Sequence, residues 1–337
     1  MLIYFPTTRC AMDKAAFTDY LRGKGLDEEA AQKQLIIAEH LDLLLSARKD
    51  CNLRSCGAKA ARTLIDSLAQ SGEDSIGNIY AILRYGSFFH NDGVYEEAFK
   101  ALDGIEAMDG VYRRLGEVLG EEERDRIFSL IGPISPGTDF PYRAEAMKTV
   151  MQESLRLMDA KQKDRFFRAS FRDLDDGHYK KDAELYRAMG GIDGYLEASR
   201  EGFLGELRSC MDEGRPFFGQ PVTEDVMELV ESDPEMAAGR REGNSVYVTK
   251  IPFRAKDWLE EKDAVKRRYH YCHCPWARES ILSEAGPVPS EFCRCSAGFH
   301  RKPWEAIFGD GVSCTVLESA LAGDDRCRFR IDLPHVS

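Results

Sequence analysis

Apolar residues recur at helical spacing over residues 12–214, which predicts a largely helical N-terminal region. The clearest pattern, at positions i, i+3, i+4 and i+7, is formed by Ile76, Ile79, Tyr80 and Leu83. It predicts a helix that places these four side chains on one face. Asp27 is predicted to cap another helix, whose apolar block ends near Leu45.

The period of the pattern changes after Gly243, where β-branched and aromatic residues become frequent. The predicted strands cover residues 245–251, 269–274, 312–317 and 327–333. The predicted short helices of the same region cover residues 277–283 and 302–308. The sequence therefore predicts an α+β fold, in which a large all-helical N-terminal region precedes a small cysteine-rich α+β domain with an antiparallel sheet.

Breaks in the pattern suggest how the chain is divided. Residues 132–141 contain three prolines and two glycines, which cannot continue a helix, and helical patterning resumes after them. Asp233 and Pro234 are predicted to begin a short helix further along the chain. The predicted regions are a helical bundle (1–132), a second helical segment (142–215), connecting helices (216–243) and the cysteine-rich α+β domain (244–337).

Composition and charge restrict the classes of function. The chain is 43% hydrophobic and carries a net charge of −12. Residues 1–243 hold 32 Lys and Arg against 45 Asp and Glu, and this acidic half argues against nucleic-acid binding. The sequence has no signal-peptide pattern and no apolar run long enough to span a membrane, so a cytoplasmic protein is predicted. Phosphate-binding loops, dinucleotide-binding glycine motifs and zincin or serine-hydrolase motifs are also missing from the sequence.

Six of the ten cysteines fall between residues 272 and 327, and four of them form two i, i+2 pairs. In extended strands, Cys272 and Cys274 would present their sulfurs on one face, as would Cys293 and Cys295. Two such pairs facing each other suit Zn²⁺ or an iron–sulfur centre. The alternative is a set of buried structural or free thiols, because cysteine is a small and readily buried residue.

The C-terminal sequence resembles a known family, the 4-vinyl reductase domain. The resemblance covers about residues 265–333 and is clearest in Gly323-Asp-Asp-Arg-Cys-Arg-Phe-Arg-Ile331. It implies a small-molecule-binding α+β module in which zinc is held by cysteines and a glutamate. Cys295, Glu318 and Cys327 match ligand positions of that family. The cysteine expected just after Glu318 is missing, so the resemblance implies that a thiolate of Cys272, Cys274 or Cys293 completes the set. The alternatives are that the site has lost its zinc, and that Glu318 is only an exposed charge at a strand edge.

The same C-terminal ending is similar to that of the aminothiazoline-carboxylate hydrolase group. That resemblance implies a hydrolase in which a cysteine thiolate or a metal-bound water attacks a small cyclic substrate. Cys274 is the candidate nucleophile, since a thiol at a helix N-terminus is expected to have a lowered pKa. His300 is the candidate acid–base residue. For both residues the alternative is a purely structural position.

Basic and aromatic residues near the cysteines suggest a ligand site. Arg294 belongs to a basic group that could pair with the carboxylate of a small organic ligand. The other interpretation is a solvated face that pairs with the acidic helical region. An apolar wall of the site is predicted from Trp276, Phe299 and Trp304, although aromatic residues also fill ordinary cores.

A weaker resemblance concerns the helical half. Residues 13–90 are similar to the core-binding helical domain of tyrosine recombinases, notably in Phe17-Thr-Asp-Tyr-Leu-Arg-Gly-Lys-Gly-Leu26. The catalytic arginines, histidine and tyrosine of those enzymes are not recognisable downstream. A helical scaffold without a DNA-binding role is therefore the preferred interpretation.

Overall fold

The helices and strands lie in residues 13–49, 52–172 and 176–334, which are the residues that this computed structural model describes. Contacts divide the chain into two units, residues 1–105 with 134–138 and residues 106–133 with 139–337. The division falls at residue 105, whereas the predicted helical bundle extends to residue 132. The predicted boundaries at residues 215 and 243 remain predictions.

The first unit is built from helices that begin at polar caps. As predicted, Asp27 accepts a hydrogen bond from the backbone N–H of Ala30 at 2.8 Å, and the following helix begins at Glu28. Capping satisfies backbone donors that have no partner within the helix. The helices of this unit are α1 (Lys14–Gly23), α2 (Glu28–Lys49), α3 (Ala58–Ser71), α4 (Ile76–Phe88) and α5 (Asp92–Leu102).

The four side chains predicted to share one face of α4 differ in burial. Ile79 is fully buried, but Ile76 and Tyr80 are 45% and 42% exposed. Gly86 of the same helix is buried, and an added Cβ there would lie 2.7 Å from the backbone nitrogen of Tyr95 in α5. The apolar spacing therefore does not show which parts of α4 are buried.

The second unit contains eleven of the described α-helices and a small sheet, against which the helices Pro234–Ala237 and Arg294–Phe308 pack. Asp233 accepts from the N–H of Glu235 at 2.9 Å and Pro234 opens the next helix, as predicted. No described helix is long and apolar enough to cross a membrane. The α-helices are α6 (Glu106–Leu119), α7 (Glu121–Phe128), α8 (Phe140–Leu157), α9 (Ala160–Phe166), α10 (Lys180–Met189), α11 (Ile192–Asp212), α12 (Glu224–Ser232), α13 (Pro234–Ala237), α14 (Ala255–Glu260), α15 (Ala264–Tyr271) and α16 (Arg294–Phe308).

The sheet has four antiparallel strands in the order β1-β2-β4-β3. They are β1 (Arg240–Glu242), β2 (Ser245–Thr249), β3 (Ser313–Glu318) and β4 (Arg328–Asp332). Val246 faces Ile331 across one pairing, and both side chains are buried. The α+β class and the predicted pairing of the last two strands are confirmed. The strand β1 lies in a region that was predicted to contain only helices.

One predicted strand of the cysteine-rich region was wrong, and two predicted helices differ in extent or type. Residues 269–274 do not form a strand, because α15 continues to Tyr271 and the chain then turns. Asp263 starts that helix by accepting from the N–H groups of Val265 and Lys266 at 3.0 and 2.9 Å. Residues 302–308 are helical as predicted, but they are the end of the longer α16. Residues 278–282 form a 3-10 helix where an α-helix was predicted over 277–283. The cysteine pairs therefore lie at helix ends and not on strands.

Candidate functional site

Five cysteine side chains from three segments meet in the second unit. They lie after α15, around the start of α16 and just before β4, and they are Cys272, Cys274, Cys293, Cys295 and Cys327. We call these five residues the thiol cluster. The sulfurs lie near enough for the ionisation of one to raise the pKa of another, and all five are free thiols. The convergence that the sequence predicted is therefore present, although the strands expected to produce it are not.

A lysine from the end of β2 reaches the thiol cluster. The backbone N–H of Lys250 donates to the Cys327 carbonyl at 3.0 Å, and the Lys250 carbonyl accepts from the Tyr271 hydroxyl. Its Nζ donates to the Ser296 hydroxyl at 3.1 Å and lies 5.8 Å from the centre of the Phe329 ring. No Asp or Glu of the described residues pairs with this ammonium. Lys250 is thus a partly buried cation without a carboxylate partner.

The two cysteines at the start of α16 have different partners. Cys293 precedes the helix, and its sulfur lies 3.0 Å from the Ser319 hydroxyl. Cys295 lies in the first helical turn and accepts a hydrogen bond from the backbone N–H of Phe171 at 3.3 Å. The Ser170 hydroxyl lies 3.5 Å from the same sulfur. The segment before α10 therefore supplies donors to one thiol of the cluster.

Burial determines the protonation of the other thiols. Loss of water raises the pKa of Cys272 to about 11, and it raises the pKa of Cys274, Cys293 and Cys327 as well. The expected lowering of the Cys274 pKa is therefore wrong. Cys274 precedes a tight turn and a short 3-10 segment, so the aligned N–H groups of an α-helix are missing there. These four cysteines are neutral thiols at physiological pH.

The neighbouring histidines are neutral too. Burial lowers the pKa of His273 to about 3, and the charge of Lys250 adds to the effect. The His273 Nε2 lies 2.6 Å from the Ile251 carbonyl, which can only accept, so Nε2 carries the proton and Nδ1 keeps a free lone pair. His300 packs its ring 4.5 Å from Phe329, and burial again holds its pKa well below the usual range. Both imidazoles can accept a proton only at a high free-energy cost, which weakens the predicted acid–base role of His300.

The residues around the thiol cluster are largely enclosed by protein. Cys274, Cys293, Cys295 and His300 are each partly exposed as residues. Burial nevertheless dominates the pKa of Cys274, Cys293 and His300. We call the region that the thiol cluster, Lys250 and the two imidazoles share the recess.

The predicted zinc ligands do not form a ligand set as they are arranged. Within residues 13–49, 52–172 and 176–334, no three His, Cys, Asp or Glu side chains are placed to hold a metal ion together. Glu318 instead accepts two hydrogen bonds from Arg326, at 2.9 and 3.0 Å, and these lower its pKa. Arg328 lies 3.9 Å from the same carboxylate. Glu318 therefore pairs with arginines, and zinc remains a prediction from the sequence.

The predicted ligand-binding side chains are dispersed. Trp276 is 1% exposed and lies near the guanidinium of Arg143, 5.7 Å from ring centre to Cζ. Trp304 packs against Tyr195 in a core cluster separate from the thiols. Phe299 is exposed at the surface. The Arg294 guanidinium pairs with the Asp164 carboxylate at 2.9 Å. This agrees with the alternative in which the basic residues form a solvated face that pairs with acidic residues of the helical region. These four residues do not form one wall.

Sequence reasoning missed Lys250, Ser170 and Phe171. Lys250 lies within the predicted strand 245–251, and its position two residues beyond Val248 was the available signal, since alternation places both on one side. Ser170 and Phe171 lie more than 120 residues from Cys295 in the chain, and no local pattern marks them.

Comparison with known proteins identifies no relative. No protein-family model, curated protein or solved structure gives a significant match to this chain. The resemblances to the 4-vinyl reductase domain, the aminothiazoline-carboxylate hydrolase group and the recombinase core-binding domain therefore remain predictions from sequence. The function has to be argued from the recess itself.

Proposed function

We propose that the protein binds a small organic anion in the recess, with the anionic group of the ligand on Lys250. One observation carries the proposal: the Lys250 ammonium is partly buried, has no carboxylate partner among the described residues, and donates only to the neutral hydroxyl of Ser296. Removing an ammonium from water costs free energy unless an opposite charge is supplied. A carboxylate on the ligand would supply it.

The protein groups around Lys250 do not supply a negative charge, so a bound anion is the better partner for its ammonium. The thiols Cys272, Cys293 and Cys327 lie near its charge, but burial keeps them protonated. The nearby imidazoles of His273 and His300 are uncharged as well. Lys250 therefore has neutral thiols and imidazoles near it and the Phe329 ring beside it, while Arg278 adds a second positive charge near Cys272 and His273. This combination suits a carboxylate attached to a small apolar body.

Replacing Lys250 by methionine should remove the preference for anions. The test measures binding of matched carboxylates and amides, such as benzoate with benzamide and phenylacetate with phenylacetamide, by calorimetry and thermal shift. We expect the carboxylates to bind more tightly, and K250M to weaken them by about tenfold or more, because a hydrogen bond to a charged group is lost. The amides should be little affected.

The matched control is Lys256→Met, which removes an exposed lysine of α14 in the same unit. It should leave carboxylate binding unchanged. Equal binding of acids and amides by the original protein would contradict the proposal, and so would an equal loss in both lysine variants.

Zinc at the thiol cluster is a separate proposal that comes from the sequence, and no step above depends on it. It predicts about one zinc per chain in freshly purified protein, measured by elemental analysis together with thiol counting. Because the described side chains do not form a ligand set, bound zinc would require Cys272, Cys274 and Cys293 to turn towards a common point. A zinc content near zero in protein prepared without chelators would end this proposal and leave the anion site standing.

A further inference from the structure

The recess contains a histidine nitrogen that has no hydrogen-bond partner among the described residues. His300 lies in α16, and its Nε2 atom is shielded from solvent without such a partner. Burial keeps the pKa of this imidazole well below its ordinary value, so the ring is neutral and carries one N–H group and one lone pair. A shielded polar atom without a partner costs free energy, which a hydrogen bond with a ligand would offset.

Helical spacing places this histidine beside the Lys250 ammonium. Ser296 and His300 are four residues apart in α16, so their side chains share one face of the helix. The Ser296 hydroxyl accepts a hydrogen bond from the Lys250 Nζ at 3.1 Å. The ammonium is therefore held about one helical turn from the His300 imidazole, along the same face of α16.

One aromatic ring adjoins both groups. Phe329 of β4 is 1% exposed, and its ring centre lies 5.8 Å from the Lys250 Nζ and 4.5 Å from the centre of the His300 ring. The Phe329 backbone pairs with Val248 in β2, which holds this residue in the middle of the sheet. Two separate contacts, one through Ser296 and one through Phe329, thus bring the ammonium and the imidazole to the same place.

The chemistry of this pair selects the kind of ligand group that suits the Nε2 atom. A cationic group on the ligand would be repelled by the Lys250 ammonium. A carbonyl can only accept a hydrogen bond, so it fits only one of the two neutral forms of an imidazole. A hydroxyl both donates and accepts, so it fits either form. A hydroxyl close to the carboxylate is therefore the group that Lys250 and His300 together favour.

We propose that the ligand of the recess is a small hydroxycarboxylate, whose carboxylate binds Lys250 and whose hydroxyl forms a hydrogen bond with the Nε2 of His300. The carboxylate rests on the proposed function, whereas the hydroxyl rests on the position of His300. Because the Nε2 atom is shielded, the ligand has to displace a neighbouring side chain. The flexible four-carbon stem of Lys250 can move in this way without a change of the backbone.

Four acids with the same phenyl group test the hydroxyl. Mandelate carries a hydroxyl on the carbon next to its carboxylate, where phenylacetate carries only hydrogen, phenylglyoxylate a carbonyl oxygen and phenylglycine an ammonium. Their affinities for the full chain are measured by calorimetry. We expect the better enantiomer of mandelate to bind about tenfold more tightly than phenylacetate, because one hydrogen bond is added, and phenylglycine to bind most weakly. Equal affinities for mandelate and phenylacetate would refute the hydroxyl contact.

Replacing His300 by leucine tests whether this residue is the partner of the hydroxyl. H300L should reduce the preference for mandelate over phenylacetate from about tenfold to about one, and should change the affinity for phenylacetate by less than about twofold. His300→Phe keeps a ring against Phe329 but has no nitrogen, and should lose the preference equally. His40→Leu, which removes an exposed histidine of α2, is the matched control and should keep it. A preference that persists in either His300 variant would overturn the assignment.

The carboxylate and the hydroxyl can fail separately. Mandelamide and phenylacetamide repeat the comparison without the negative charge that Lys250 is proposed to bind. A hydroxyl preference that persists in the amides and is lost in H300L, with acid binding unchanged in K250M, would refute the anion site and keep the hydroxyl contact. Acid binding that depends on Lys250 but shows no hydroxyl preference would keep the anion site and refute the present inference. Failure of all these acids and amides to bind would refute both.

Discussion

Replacing Glu235 by glutamine should destabilise the second unit by about 3 kcal/mol. Glu235 is 6% exposed and accepts two hydrogen bonds from Arg328, at 2.7 and 2.8 Å. The Thr249 hydroxyl donates to the same carboxylate at 2.9 Å, and Arg240 does so at 3.3 Å. The variant keeps the shape of the side chain but leaves the Arg328 charge without its main partner. Urea unfolding followed by tryptophan fluorescence measures the loss, because all three tryptophans belong to this unit.

The same carboxylate should make the unit sensitive to acid. The hydrogen bonds from Arg328 are the main cause that lowers the pKa of Glu235 from 4.5 to about 2. A carboxyl group with a depressed pKa contributes stability that is complete above pH 4.5 and is lost as the pH falls through 2. The difference amounts to about 3 kcal/mol, and E235Q should lose this part of the pH dependence.

Glu242→Gln is the control for this prediction. Glu242 pairs with Arg240 but its side chain is 50% exposed, so solvent screens the interaction. Its replacement should change the free energy of unfolding by less than about 1 kcal/mol. Similar losses in E242Q and E235Q would show that the burial of Glu235 does not matter.

Local chemistry predicted the elements whose signals lie within a few residues. The Asp27 cap, the Asp233-Pro234 helix start and the antiparallel pair of the last two strands are all confirmed. In each case the group that starts or pairs the element is adjacent in sequence or joined to its partner by a short turn. The α+β class followed from the change of period after Gly243.

The failures come from distant contacts and from competing local signals. In α4 the close contact of Gly86 with α5 lies outside the four-residue apolar pattern, so that pattern could not show it. Residues 269–274 have the aromatic composition of a strand. They instead include the end of α15, a helix that Asp263 caps six residues before this stretch and that continues to Tyr271.

The candidate site could be predicted only in part, because some of its groups are close in sequence and others are distant. Crowding of cysteines in one stretch indicated that thiols would meet, and they do. The groups that distinguish the thiols could not be predicted. Lys250 carries no motif, and the donors to Cys295 come from a segment more than 120 residues away. A local pattern reveals which residue types are present, whereas the fold decides which hydrogen-bond partners surround each thiol.

Adding one methyl group to Gly298 should disturb both stability and the site. In Gly298→Ala the new Cβ would lie 2.3 Å from the Ser170 nitrogen and 2.6 Å from the Ala169 carbonyl carbon. Both are backbone atoms, so rotation of a side chain cannot relieve the clash. We expect a loss of about 3 kcal/mol in urea unfolding, at the upper end for overpacked sites. The hydrogen bond from the Phe171 N–H to the Cys295 sulfur should lengthen or break, because the segment that carries this donor must move away.

Gly205→Ala is the matched control for that change. Gly205 lies in α11, is exposed, and has open space where a Cβ would be added. Alanine is the better helix former there, so this variant should stabilise the unit by about 0.5–1 kcal/mol. If Gly298→Ala instead behaved like Gly205→Ala, the close packing of α16 on residues 169–171 would not exist in solution.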